Sequence, residues 1–165
     1  MEYVSGSEVE TRDIAKIIVQ KIIDGQNKGP LFVGLVGDLG AGKTSFTKGV
    51  AEFFGIENTI VSPTFVIQKV YEIKEENRKE KNHSFKKLVH IDMYRLEDES
   101  ELSTIDWNNY KNNSDNIIFV EWPNQIFKEN PEEMITIKIE HLGLNERKII
   151  YVSGERRKIM NDQIN

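Results

Sequence analysis

"GDLGAGKT", residues 37–44, decides how the rest of the chain is read. The stretch has a glycine, four residues, then Gly-Lys-Thr: Gly37, Gly42, Lys43 and Thr44. A loop of this kind aims several backbone N–H groups inward at phosphate oxygens, and side chains would block the approach. Glycines at 37, 40 and 42 permit that backbone. With Asp38, Leu39 and Ala41 between them and Ser45 just beyond, they form the candidate nucleotide-contacting segment. Lys43 adds a point charge toward the outer phosphates, and the Thr44 hydroxyl can ligate magnesium. At ordinary residue frequencies the pattern arises by chance in roughly one chain in two hundred of this length, so its surroundings must also fit.

They do. "PLFVGLVGD" before it is a dense apolar strand. "KTSFTKGVAEFFG" after it places Phe46, Val50, Phe53 and Phe54 on one side and stops at Gly55, which predicts a helix whose positive end faces the same anion. Further out, "SGSEVETRDIAKIIVQKIIDG" opens with a capping-box pattern, Ser7 with Glu10, and carries Ile14, Ile17, Ile18 and Ile22 at helical spacing. "TFVIQKVYEI" and "KKLVHIDMY" predict two strands of a hairpin, with the charged residues 74–86 as a long flexible loop. "DESELSTIDWNNY" predicts a short helix or two, and "PNQIFKE" a short helix starting at its proline. "MITIKIEHL" and "RKIIYVSG" predict a hairpin around "GLNE".

A magnesium nucleotide needs a carboxylate near the metal, usually at the end of a neighbouring buried strand. Two strands offer one: "KLVHIDMYR" near Asp92, and "NIIFVEW", which ends at Glu121. An acid at the tip of an apolar run is costly unless compensated, by a metal, a helix N-terminus or an arginine such as Arg95. Spacing alone leaves the metal role divided between Asp92 and Glu121. His83, His90 and His141 are scattered without metal-ligand spacing, and His90, two residues before Asp92, reads as structural.

The chain has 165 residues, 38% hydrophobic and 30% charged, enough for one domain with a buried core. Without cysteine there is no disulfide scaffold, thiolate metal site or cysteine nucleophile. A formal net charge of −5 argues against a protein that grips nucleic acid unaided. No secretory signal pattern or bilayer-length apolar run is present, so a cytoplasmic protein without membrane contact is expected.

The elements "GDLGAGKTSFTKG", "SPTF", "HIDMYRL" and "EWP", in that order and spacing, resemble the bacterial TsaE family, small ATPases of tRNA threonylcarbamoyladenosine biosynthesis. The likeness spans roughly residues 5 to 150. It implies ATP and Mg²⁺ as ligands, with Glu121 and Thr44 on the metal. It assigns Asp92, with Lys43, to hydrolysis, Asp92 through water positioning or the metal's outer shell. It implies Trp122 at the nucleotide site, Thr64 of "SPTF" as a γ-phosphate sensor and Thr11 as an adenine contact. Its implied partners are a TsaB–TsaD complex, reset by ATP hydrolysis, with tRNA reached only through them. Asp106 stands where many members carry glycine, and the 74–86 stretch is longer than typical.

The expected fold is α/β and P-loop NTPase-like: a three-layer sandwich on a mixed sheet, with a parallel core and antiparallel hairpin additions. One ATPase domain spans 1–153, followed by a polar tail, 154–165. The alternative activity is a small-molecule kinase on the same loop, with "KEENRKEKNHSFKK" as its lid.

Overall fold

The computed structural model describes residues 1–25, 29–57, 60, 63, 66–128, 131 and 134–152. The apolar run before the glycine-rich loop forms strand β2 (Leu31–Val36), and the helix after the loop is α2 (Lys43–Phe53). β2 lies between β5 (Asn116–Glu121) and β6 (Met134–His141), parallel to both, and β4 (Lys87–Asp92) adds in parallel beyond β5. Antiparallel strands flank this core. β3 (Gln68–Glu72) lies against β4, β7 (Arg147–Val152) against β6, and β1 (Glu2–Ser5) closes the far edge on β7. The order is β1-β7-β6-β2-β5-β4-β3.

Side chains alternate across a strand, so each strand feeds two cores. Leu31, Val33, Leu35, Leu88, Ile117, Phe119, Ile137 and Ile139 face α1 (Glu8–Asp24) and α2. Phe32, Val89, Ile91, Ile118, Val120 and Met134 face the other way. There they meet Leu102 and Ile105 of a 3-10 segment (Glu99–Ile105), Trp107 of α4 (Trp107–Lys111) and Ile126. The result is three layers with a sheet in the middle. Helices α1 and α2 pack tightly because Gly49 has no side chain: a Cβ there would lie 2.4 Å from the Arg12 carbonyl oxygen. Among the described residues no helix is long and apolar enough to cross a membrane.

Several local readings hold. Ser7 caps α1, its Oγ accepting from Glu10 N at 3.1 Å. The Glu10 carboxylate returns to Gly6 N (2.7 Å), one residue earlier than a standard capping box. Asp106 takes the left-handed conformation that glycine favours (φ 54°, ψ 30°). Aspartate tolerates that region better than most residues.

Others are corrected. β6 and β7 pair antiparallel, as the hairpin reading expects, but β6 also joins β2 in parallel and so belongs to the parallel core instead of adding a purely antiparallel strand. β1 had no counterpart in the sequence reading. β3 begins only at Gln68, because Ile67 sits at φ 66°, outside strand geometry. The segment after Trp122 is a single 3-10 turn, Pro123–Gln125.

The 74–86 stretch is not a loop throughout: Glu75–Glu80 form a short helix, α3. Glu75 and Glu76 open it and Arg78 and Lys79 lie in its last turn, which suits the helix dipole, and Glu75 pairs with Lys79 one turn on at 2.7 Å. Asn77 Nδ2 donates to Gly55 O at 3.4 Å, tying α3 to the end of the α2 turn. The stretch leaves β3 and enters the start of β4, whereas Asp92 lies at the other end of β4. It is therefore about one strand length, roughly 17 Å, from where a lid would act.

His83, after α3, packs edge-on to Phe54 (ring centroids 4.9 Å) and stacks on Phe85 (5.8 Å). Neither ring nitrogen has a hydrogen-bond partner. Burial, and then the nearby Arg78 charge, pushes its pKa down to about 4. The unfolded chain, with His near 6.5, therefore takes the proton first on acidification. This contribution to stability is complete above about pH 6.5 and is lost as pH falls toward 4. The half-buried ring keeps the slope below the single-group limit of ~1.4 kcal/mol per pH unit. Melting temperatures between pH 7 and 4.5 should fall less steeply in His83→Phe than in the unchanged protein; parallel curves would refute this.

Candidate functional site

Strand parity assembles the site. On β4, Leu88, His90 and Asp92 share the face that meets α2; on β5, Ile117, Phe119 and Glu121 share it too. In the parallel register Asp92 pairs with Glu121, and Glu121 also pairs with Leu35 of β2, two residues before the glycine-rich loop. Both acids thus reach the C-terminal edge of the sheet side by side, where α2 begins. Phe46 of α2 packs on Phe119 (6.5 Å), setting the helix over β5. That packing places Thr44 above Glu121: its hydroxyl donates to Oε1 at 3.0 Å and lies 3.3 Å from Oε2.

Gly42 is the N-cap of α2, at φ 108° and with no side-chain cap. A β-carbon is strained at that angle, so a glycine serves here. The first N–H groups of a helix have no partner within it, and no side chain caps this helix start, so the end is suited to an anion.

Lys43 is only 4% exposed. Its Nζ donates to Gly37 O (2.7 Å) and Asp38 O (2.8 Å) and lies 3.9 Å from the Trp122 ring centroid. Burial pushes its pKa down, while the charges of Glu121, Asp92 and Asp38 act to raise it. Trp122 adopts φ 59°, ψ 43°, an outlier for a bulky residue. Its backbone N–H donates to Leu35 O (3.2 Å), and its ring meets Tyr94 at 5.1 Å. The strained turn is what carries the indole back over the lysine, and backbone strain of this kind concentrates at functional sites.

A cleft of about 400 Å³ opens among these groups. The loop and helix line it with Leu39, Gly40, Gly42, Lys43, Thr44 and Ser45; the strand ends line it with Asp92, Tyr94, Glu121 and Trp122. Asp92 and Glu121 are 2% and 3% exposed. Asp92 Oδ1 accepts from Tyr94 N (2.9 Å), and Met93 N donates to Glu121 O (3.0 Å), so the chain after β4 wraps the second acid. Glu121 Oε1 also meets His90 Nε2 at 2.8 Å. Arg95 is exposed at the surface.

The donor set suits magnesium: a carboxylate and a hydroxyl, both hard oxygens, in bonding contact at a cleft wall. Among the described residues no group of three or more His, Asp or Glu could hold a metal alone. Magnesium at phosphate sites commonly takes one or two protein oxygens and completes its shell with phosphate and water.

Ala41 is buried outside the cleft lining, and its carbonyl accepts from Arg147 Nε at 3.1 Å. Thr11 is fully buried, with its hydroxyl bonded to Ser5 Oγ (2.9 Å) and Ser7 O (3.0 Å), and does not line the cleft. Thr64 lies outside the described residues. The Pro63 carbonyl accepts from Val66 N at 2.8 Å. Sequence reasoning missed the His90 contact, although its two-residue spacing from Asp92 was the available signal. It also missed Arg147, which carried none, being 106 residues from its loop partner.

Residues 5–149 match the family model "Threonylcarbamoyl adenosine biosynthesis protein TsaE". The Bacillus subtilis (strain 168) protein named tRNA threonylcarbamoyladenosine biosynthesis protein TsaE is 36% identical over 156 residues, covering 94% of this chain and 87% of its own. Its namesake from Aquifex aeolicus (strain VF5) is 32% identical over 150 residues, covering 90% and 92%. A solved structure, the crystal structure of Bacillus subtilis YdiB, superposes with a TM-score of 0.66 at 29% identity, covering 92% of this chain and 83% of that one. The chain belongs to the TsaE family.

Proposed function

We propose that the protein is a magnesium-dependent ATPase with a P-loop NTPase-like fold, required for threonylcarbamoyl modification of a tRNA adenosine. It acts through a TsaB–TsaD complex that its ATP hydrolysis resets. The family membership supports the pathway. The observation that carries the ATPase reading is the contact of Thr44 with Glu121 beside Lys43 and Asp92, in a cleft floored by a glycine-rich helix start.

In this reading the backbone of residues 37–44 cradles the phosphates, and Lys43 turns its ammonium from the Gly37 and Asp38 carbonyls to the outer phosphate oxygens. Thr44 and Glu121 would hold the metal, which when bound would supply positive charge against the outer phosphates. Asp92 orients the attacking water. The water oxygen bonds to the γ-phosphorus, the bond to the β–γ bridging oxygen breaks, and ADP leaves with that electron pair. Catalysis is then mainly positioning and charge stabilisation. The acidic net charge fits a component that touches protein rather than tRNA. Residues 74–87, the lid that a kinase reading requires, lie at the opposite end of β4 from Asp92.

Phosphate release from Mg·ATP, with and without TsaB–TsaD, tests the reading. The protein alone should turn over slowly, and the partners should change the rate. Glu121→Ala should lose ~10²-fold or more of the magnesium-dependent rate, and Asp92→Ala should lose turnover while keeping ATP affinity. Fast, partner-independent hydrolysis or a phosphorylated metabolite as product would count against it. A second measurement uses Trp122 as a reporter. Drawing the Lys43 ammonium off the indole should change Trp122 emission when triphosphate binds, with Trp107 on the opposite face as a steady background. Trp122→Phe should abolish the change; a spectrum unmoved at calorimetric saturation would contradict the lysine swing.

A further inference from the structure

His90 is completely buried, in the middle of a strand whose same-face neighbour Leu88 is apolar. Its Nε2 lies 2.8 Å from Glu121 Oε1, the oxygen that also accepts from Thr44. Its Nδ1 has no hydrogen-bond partner. An ionised carboxylate oxygen only accepts, so the hydrogen of this bond sits on Nε2, and Nδ1 is left buried without a partner. Leucine would fill this space without burying an unsatisfied nitrogen, so packing alone does not account for an imidazole here. What the imidazole does supply is a second fixed donor to Glu121. With Thr44 on one side and His90 on the other, the carboxylate is held at the strand tip and its rotation is blocked.

We propose that His90 is a positioning residue for the divalent cation. It holds the Glu121 carboxylate facing Thr44 and so sets the affinity of the site for the metal that accompanies the nucleotide. The proposal rests on the ATPase reading of the same cleft. A hydroxyl that ligates a cation does so through a lone pair and keeps its proton for a nearby acceptor. The His90 bond keeps Glu121 in place to accept it. Partners of this kind typically change metal affinity 10- to 100-fold when removed.

The test compares wild type, His90→Leu and His90→Gln, with calorimetric binding of a non-hydrolysable ATP analogue across magnesium concentrations and in EDTA, beside thermal melts. His90→Leu should raise the half-saturating magnesium concentration by about tenfold or more. Its affinity in EDTA should match wild type, since the loop and Lys43 are untouched. His90→Gln, whose amide nitrogen can donate where Nε2 does, should recover most of the loss. If His90→Leu fails to fold, His90→Gln is read together with the ¹⁵N spectrum of wild type, which should show the Nε2–H tautomer. Wild-type magnesium dependence in His90→Leu, an equal loss in EDTA, or the Nδ1–H tautomer overturns the role of His90. A wild type that binds nucleotide without magnesium dependence overturns the reading of the cleft itself.

Discussion

A hydroxyl at the start of α2 and a carboxylate at the end of β5 meet at 3.0 Å across 77 residues of chain. Thr44 can be there only if α2 packs on the face of β5 that carries Glu121. That in turn requires the Phe46–Phe119 contact, the close approach of α1 at Gly49, and a parallel register that puts Leu35, Glu121 and Asp92 in one row. The three-layer fold is what brings a loop, a lysine and two acids to one edge of the sheet, and the loop contributes backbone where the strands contribute charge.

Charge concentration at that edge carries a free-energy cost. Lys43, Asp92 and Glu121 are all nearly buried, and each ion taken out of water costs several kcal/mol before compensation. The compensation is visible residue by residue. The ammonium is bonded to two loop carbonyls and covered by an indole, Glu121 has Thr44 and His90, and Asp92 has the Tyr94 amide. Trp122 adds a left-handed backbone. The same lysine, carboxylates and glycine-rich helix start are the groups that the proposed phosphoryl chemistry would use.

Much of this was legible in the chain because it is written locally. The Gly-x4-Gly-Lys-Thr spacing, the apolar strand before it, the amphipathic helix after it and the acids ending two apolar runs are each contained in a dozen residues. The parts that escaped depend on pairing. β1 is four residues long and is a strand only because β7 offers an edge. β6 reads as half of a hairpin, and nothing local says that its other edge joins β2 in parallel. Charged residues 75–80 look like solvated loop until Asn77 finds Gly55. His90 meets Glu121 and Arg147 meets the loop across 31 and 106 residues of chain, and a single sequence does not display such pairings.

In the proposed function, Thr44, Glu121 and Lys43 converge on one divalent ion and the phosphate tail it accompanies. A crystal structure with Mg²⁺ and a non-hydrolysable ATP analogue measures this directly. The ion is expected at about 2.1 Å from Thr44 Oγ1, with Glu121 ligating it directly or through one water and Lys43 Nζ on a phosphate oxygen. A nucleotide seated away from residues 37–44, or an ion held without Thr44 and Glu121, would contradict it.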